Sequence, residues 1–181
     1  MFISQQLRKN NIAEYLLYMW QVEDTIRAFG CSLARIKREY IEKFDYTEEQ
    51  KEELTDWYGH LIRMMNEEGC RETGHLQINK VTMMNLEELH ARLLQSPKFP
   101  FYNAAYYKVL PFIVELRNRG ANKEENEIET CFDALYGVMM LRLQKKPITP
   151  NTEHAVKEIT TLVGMLSDYY KKDREEPLEF E

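Results

Sequence analysis

Apolar residues recur at spacings of three and four along almost all of this 181-residue chain, and no stretch sustains the alternation of a half-buried strand. That period points to helices. The counts of glycine and proline, 7 and 6, agree: they are too few for the many tight turns of an all-β protein and suit long helices joined by short connections. A chain of this length removes about 70% of its unfolded surface from water on folding, so it can build its own core. The expected fold is all-α, a single compact bundle of about six to seven helices with mostly antiparallel neighbours over residues 1–172, followed by an acidic, fraying tail over 173–181.

The local signals give seven segments. The first, about Asn11 to Phe29, carries Ile12, Tyr15, Leu16, Met19 and Ile26 on one face and ends or bends at Gly30, so it could run on into the second, Cys31 to Phe44. Thr47 followed by Gln50 has the spacing of a capping box and opens the third, which Gly69 ends; the Gly69–Gly74 stretch reads as a loop. The fourth spans about His75 to Gln95. The fifth, about Pro100 to Arg119, is apolar over most of its circumference, with Phe101, Tyr102, Tyr106, Val109, Phe112 and Ile113, which predicts a central position and a kink at Pro111. A polar run from Asn122 to Asn126 leads into the sixth, and Thr149-Pro150 opens the seventh.

Charge and cysteine usage bound the function. A formal net charge of −6 sets the long-range field against nucleic acid, which is bound by neutralising phosphates, and the short basic clusters at Arg35-Lys37-Arg38 and Lys145-Lys146 read as solvated helix surface. The most apolar stretch, Val109 to Val114, is far short of the roughly 20 residues that cross a bilayer, so no membrane is expected. Cys31, Cys70 and Cys131 are odd in number and far apart, which suggests neither a disulfide framework nor a thiolate zinc site. With a polar N-terminus unlike a signal peptide, this predicts a cytoplasmic protein.

The run from Asn11 to Asp24, with Tyr15-Leu16-Leu17-Tyr18-Met19-Trp20 at its centre, resembles the opening helix of an uncharacterised family of small all-helical proteins from Bacteroidetes. The stretches from Glu129 to Gly137 and from Leu141 to Lys146 are similar to that family too. The resemblance covers nearly the whole chain and implies a compact helical fold and a bacterial cytoplasm. It lends no catalytic residues, since the family carries no assigned activity.

No phosphate-binding glycine loop and no nucleophile elbow occurs in the sequence, and no cofactor is predicted. Glu87 and His90 have the Glu-x-x-His spacing of helical metal sites. A second pair, Glu72 and His75, straddles Gly74 in a loop, so the paired-helix arrangement of a di-iron centre is not met and no metal is predicted. The sharper candidate is Glu23, which falls between Ile12, Leu16 and Met19 on the apolar face of the first helix. A carboxylate there needs a partner, and Arg27, one turn on, or a base from another helix should supply it. Glu23, Arg27, Asn79 and His90 form the candidate buried polar or ligand cluster.

Two functions compete. One is a non-enzymatic interaction module, a homodimer or the binder of another protein, for which Tyr18, Met84 and Met140 lie outside the main apolar stripes. The other is a bundle with an internal small-molecule or metal site near Glu23 and His90.

Overall fold

The computed structural model describes residues 1–120 and 124–181, and among them every regular element is helical. In chain order these are α1 (Phe2–Asn10), α2 (Ile12–Ala28), α3 (Leu33–Glu39), α4 (Glu48–Glu67), α5 (Gln77–Gln95), α6 (Pro100–Asn118), α7 (Glu127–Leu143) and α8 (Pro150–Glu175). One 3₁₀ turn, Ile41–Lys43, sits between α3 and α4. Part of the polar run expected from Asn122 to Asn126 lies outside the described residues.

Among the described residues eight α-helices thus replace the expected six to seven. The additional one is α1, whose large apolar residues Phe2 and Ile3 face solvent, so no buried stripe marks it in the sequence. The expected helix from Cys31 to Phe44 divides where Tyr40 leaves helical geometry at φ −124°, ψ −60°. Its ring then packs edge-on against Phe44 and Tyr58. The first two expected helices are not continuous: Gly30 and Cys31 both take positive φ, and their N–H groups donate to the carbonyls of Arg27 and Ile26. Those paired bonds form a Schellman ending, which closes α2.

The chain divides into two units. The first comprises Met1–Lys9 and Glu14–Val81. Its buried apolar residues include Leu16, Met19 and Ile26 of α2, Ile36 of α3, Ile41, and Tyr58, Leu61 and Met65 of α4. The capping box that opens α4 is present in both halves, with Gln50 N–H donating to Thr47 Oγ1 at 3.2 Å and Thr47 N–H to Gln50 Oε1 at 3.0 Å. Gly59 permits a close approach of α3 to α4, since a Cβ there would stand 3.2 Å from Leu33 Cδ2.

The second unit comprises Asn10–Ala13 and Thr82–Glu181. Here α6, α7 and α8 pack on one another and bury Tyr102, Val109, Ile113, Cys131, Phe132, Leu162 and Leu166. Thr149 caps α8 ahead of Pro150, as its sequence suggests. Residues 173–181, read from the sequence as a fraying tail, carry α8 to Glu175 and then several contacts. Ser96 Oγ donates to the Phe180 carbonyl at 2.7 Å, and the Phe180 ring lies 4.0 Å under the Arg92 guanidinium.

The central position expected of α6 needs correction. It runs unbroken from Pro100 to Asn118 with Pro111 on its exposed side, and it buries Tyr102, Val109 and Ile113. Phe101, Tyr107 and Val114, however, are 81%, 66% and 51% exposed.

A test of helix energetics comes from Gly164, inside α8, where an added Cβ would meet nothing within 4 Å. Gly164→Ala should therefore raise the unfolding free energy by about 0.5–1 kcal/mol, seen as a higher urea midpoint at unchanged slope. A lower midpoint would contradict the open space around this position.

Candidate functional site

Glu23 lies on α2 and is completely buried. Its carboxylate is held by the segment that opens α5: Oε1 accepts from the Leu76 N–H at 2.9 Å and from Asn79 Nδ2 at 2.7 Å, while Oε2 meets His75 Nδ1 at 2.6 Å. The amide of Asn79 is oriented by chemistry, because an ionised carboxylate only accepts and so calls for the NH₂ side. Helix α5 has no acidic residue in its own first turn, and its N–H groups there need acceptors. Glu23 and Glu68 provide them from elsewhere in the chain, the latter accepting from the Gln77 N–H at 2.6 Å. Both place negative charge at the positive end of the helix dipole.

Trp20 stands one turn before Glu23 on α2, so the two side chains leave the helix in the same direction. The indole stacks on the His75 imidazole with centroids 4.3 Å apart and planes 14° from parallel. Ring and carboxylate together fix His75, which remains 29% exposed at its side chain. Geometry of this kind, a carboxylate on one imidazole nitrogen with the other turned away, also orients catalytic and metal-binding histidines. Here the second nitrogen carries no hydrogen bond among the described residues, and all three donors to Glu23 come from the chain itself. The arrangement works as a tertiary cap that joins the start of α5 to α2.

Arg27 is not the partner of Glu23. It forms an ion pair with Asp24 at 2.8 Å and donates to the carbonyls of Cys70, at 3.1 Å, and Gly74. The Glu23 oxygens are already occupied by the α5 start, and the guanidinium instead binds both ends of the Cys70–Gly74 loop. His75, weighed in the sequence only as half of a loop metal pair, supplies the base. No local signal pairs it with a residue 52 positions earlier; only the buried acid announces that some donor must arrive.

His90, the fourth member of the expected cluster, makes its bonds elsewhere. In the second unit it meets Tyr102 Oη at 2.6 Å through Nδ1, and the Tyr106 ring packs edge-on against it. Burial holds its pKa down to about 4, against a smaller opposing pull from Glu127. A neutral imidazole can accept the proton of the Tyr102 phenol, whose own pKa burial raises. Tyr106 donates to Glu127 at 2.8 Å, and burial followed by that bond pushes its phenol up to about 12. Glu87 stays partly exposed with its pKa raised by burial and by Glu129 and Glu125. Among the described residues no group of three or more His, Cys, Asp or Glu side chains is placed to hold a metal ion. All three cysteines are free, and burial pushes the Cys131 thiol up to about 12, which leaves it protonated and unreactive.

Two outcomes test these assignments. Glu23→Gln keeps the shape but puts an amide where three donors converge, so it should cost about 1–3 kcal/mol of stability and speed hydrogen exchange at the Leu76 amide. An unchanged midpoint and unchanged protection would remove the capping role. For His90, the unfolded imidazole takes up a proton near pH 6.5 and the folded one only near 4. Stability is therefore fully present above pH 6.5 and is lost as pH falls towards 4, by an amount on the order of 3 kcal/mol. Urea unfolding of the parent and of His90→Gln across that window should show a shallower pH slope in the variant, and equal slopes would refute the assignment.

No curated protein and no solved structure matches this chain. Among the described residues no helix is long and apolar enough to cross a membrane. A family model described as a domain of unknown function (DUF4924) matches residues 1–177, and the chain belongs to that family.

Proposed function

We propose that the protein is a non-enzymatic interaction protein of the cytoplasm that works as a homodimer, with α6 as the contact element. The observation that carries this reading is the solvent-facing side of α6, where Phe101, Tyr107 and Val114 stand out with Ala104 and Pro111 also exposed between them. Scattered exposed apolar residues are ordinary, but two aromatic rings and a valine in one arc of one helix are the composition of an interface centre. From the usual size of such side chains the three leave roughly 300–400 Å² uncovered. The three free thiols suit a reducing compartment.

A second copy of this chain fits the face better than an unrelated partner, because the face is complementary to itself. Lys108 and Glu115 lie seven residues apart on one edge of the arc, and Tyr107 and Val114 lie seven apart on the other. Two α6 helices laid antiparallel about a two-fold axis near Pro111 bring Lys108 opposite the second copy's Glu115, twice. The same axis sets Tyr107 against Val114, twice. The small Ala104 and the proline ring in the middle of the arc let the two helices approach closely. A single helix pair falls below the roughly 800 Å² per partner of standard interfaces, so the dimer should dissociate in a micromolar range.

Light scattering coupled to size exclusion over a concentration series tests this. The parent should shift from monomer to dimer with concentration, and Tyr107→Asp should stay monomeric with unchanged helicity. Lys108→Glu sets like charges opposite one another and should weaken the dimer, while adding Glu115→Lys should restore it. A parent that is monomeric at every concentration would end the proposal, as would a double variant that dimerises no better than Lys108→Glu alone.

A further inference from the structure

Beyond α8 the chain turns back on the second unit through contacts of the kind by which proteins recognise peptides. The last helical bond, from the Glu176 N–H to the Lys172 carbonyl, is followed by extended geometry at Glu176 and by Pro177, which end the helix and send residues 176–181 across the turn between α5 and α6. On the way the Leu178 N–H donates to Asp173 Oδ1 at 2.8 Å, and the Glu179 carboxylate lies 3.5 Å from Lys98 Nζ. The Phe180 carbonyl accepts from Ser96 Oγ at 2.7 Å. Its ring lies against Phe99, with centroids 5.4 Å apart, and under the Arg92 guanidinium at 4.0 Å. The two backbone bonds set direction and register, Lys98 favours an acid, and the guanidinium with Phe99 favours an aromatic ring one position later.

The receiving surface is built without the segment that fills it. Ser96, 4% exposed, is fixed by the Lys98 N–H, which donates to its hydroxyl at 3.3 Å. Phe99 packs edge-on against Tyr169 of α8, with centroids 5.1 Å apart. Asn103 Nδ2 donates to the Leu93 and Phe99 carbonyls and so ties the end of α5 to the start of α6. The segment, by contrast, is lightly held. Leu178 and Phe180 are half-buried, and the exposed Lys98–Glu179 pair adds little. A space of about 320 Å³ remains beneath Glu176 to Glu179 where they pass the end of α8, so the segment arches over the helix end instead of packing on it.

We propose that this surface is a recognition site for a segment of a partner protein in which an acidic residue is followed by an aromatic one, and that residues 176–181 occupy it as a latch until such a segment replaces them. A tether this short presents its own segment at an effective concentration on the order of millimolar, so the latch excludes weak competitors and yields to a partner that adds contacts outside the site. The site does not rest on the dimer proposed above and uses neither Tyr107, Lys108 nor Glu115.

A dye-labelled peptide with the sequence of residues 176–181, titrated with the full chain and followed by fluorescence anisotropy, tests both parts. Phe180→Ala in the full chain should release the latch, and the peptide should bind that variant saturably and about ten-fold more tightly than it binds the parent. A peptide carrying Phe180→Ala should lose binding to the released variant, and one carrying Glu179→Lys, which sets like charge against Lys98, should bind it more weakly. Arg92→Ala added to the released variant should weaken the unaltered peptide about five-fold. Tyr107→Asp, directed at the other face, should leave peptide binding unchanged. Absence of saturable binding to the released variant, equal affinity for parent and Phe180→Ala, equal binding of a peptide altered at Phe180 or Glu179, no effect of Arg92→Ala, or loss of binding in Tyr107→Asp would each overturn the proposal.

Discussion

The first unit depends on one buried charge. Glu23 has no access to water, and a carboxylate in that position is tolerated only if its oxygens are bonded. The Leu76 N–H, the Asn79 amide and the His75 imidazole all converge on it, and bonds to an ionised acceptor are among the stronger ones a protein makes. All three donors lie within five residues, at the place where the chain turns from loop into helix. The bond set therefore fixes a position and a direction at once: where α5 begins, and which way its first turn faces relative to α2. An apolar contact at the same place would supply comparable attraction without that directionality. Arg27 adds to the effect from one turn further along α2 by binding the carbonyls of Cys70 and Gly74, so the loop that delivers His75 is itself held at both ends.

What the sequence reveals of this arrangement is divided by range. Features settled within one turn of backbone are readable: the Thr47–Gln50 box, the Thr149-Pro150 start and the stop at Gly69 all depend on residues a few positions apart. The burial of Glu23 is readable as well, because helical period alone places it among Leu16 and Met19. Its partners are not. Arg27 has the favourable i, i+4 spacing, yet the donors that reach Glu23 come from 52 to 56 residues away. His90 shows the same limit, since its bond to Tyr102 crosses from α5 to α6 and makes a histidine with apparent metal-site spacing a buried neutral one. The missed helix α1 has a different cause, for it is short and its large apolar residues Phe2 and Ile3 face solvent.

Helix α6 shows why apolar character alone does not locate a helix. Hydrophobic residues around most of its circumference suggest enclosure on every side, but three arcs of that circumference meet different surroundings. One arc, with Tyr102, Val109 and Ile113, is core. A second, with Phe112 and Leu116, forms the wall of a cavity, and a third, with Phe101, Tyr107 and Val114, faces solvent. Burial lowers the free energy of all three kinds of residue alike, whether the cover is the chain's own core, a ligand or another molecule. The hydrophobic pattern therefore records that cover is favourable and is silent on what provides it. The neighbouring helices separate the arcs. Where α7 and α8 present Phe132, Leu162 and Leu166 the space is filled from within. Where they present Gly137 and Ala155 the cleft stays open, and a Cβ added at Gly137 would meet nothing within 4 Å.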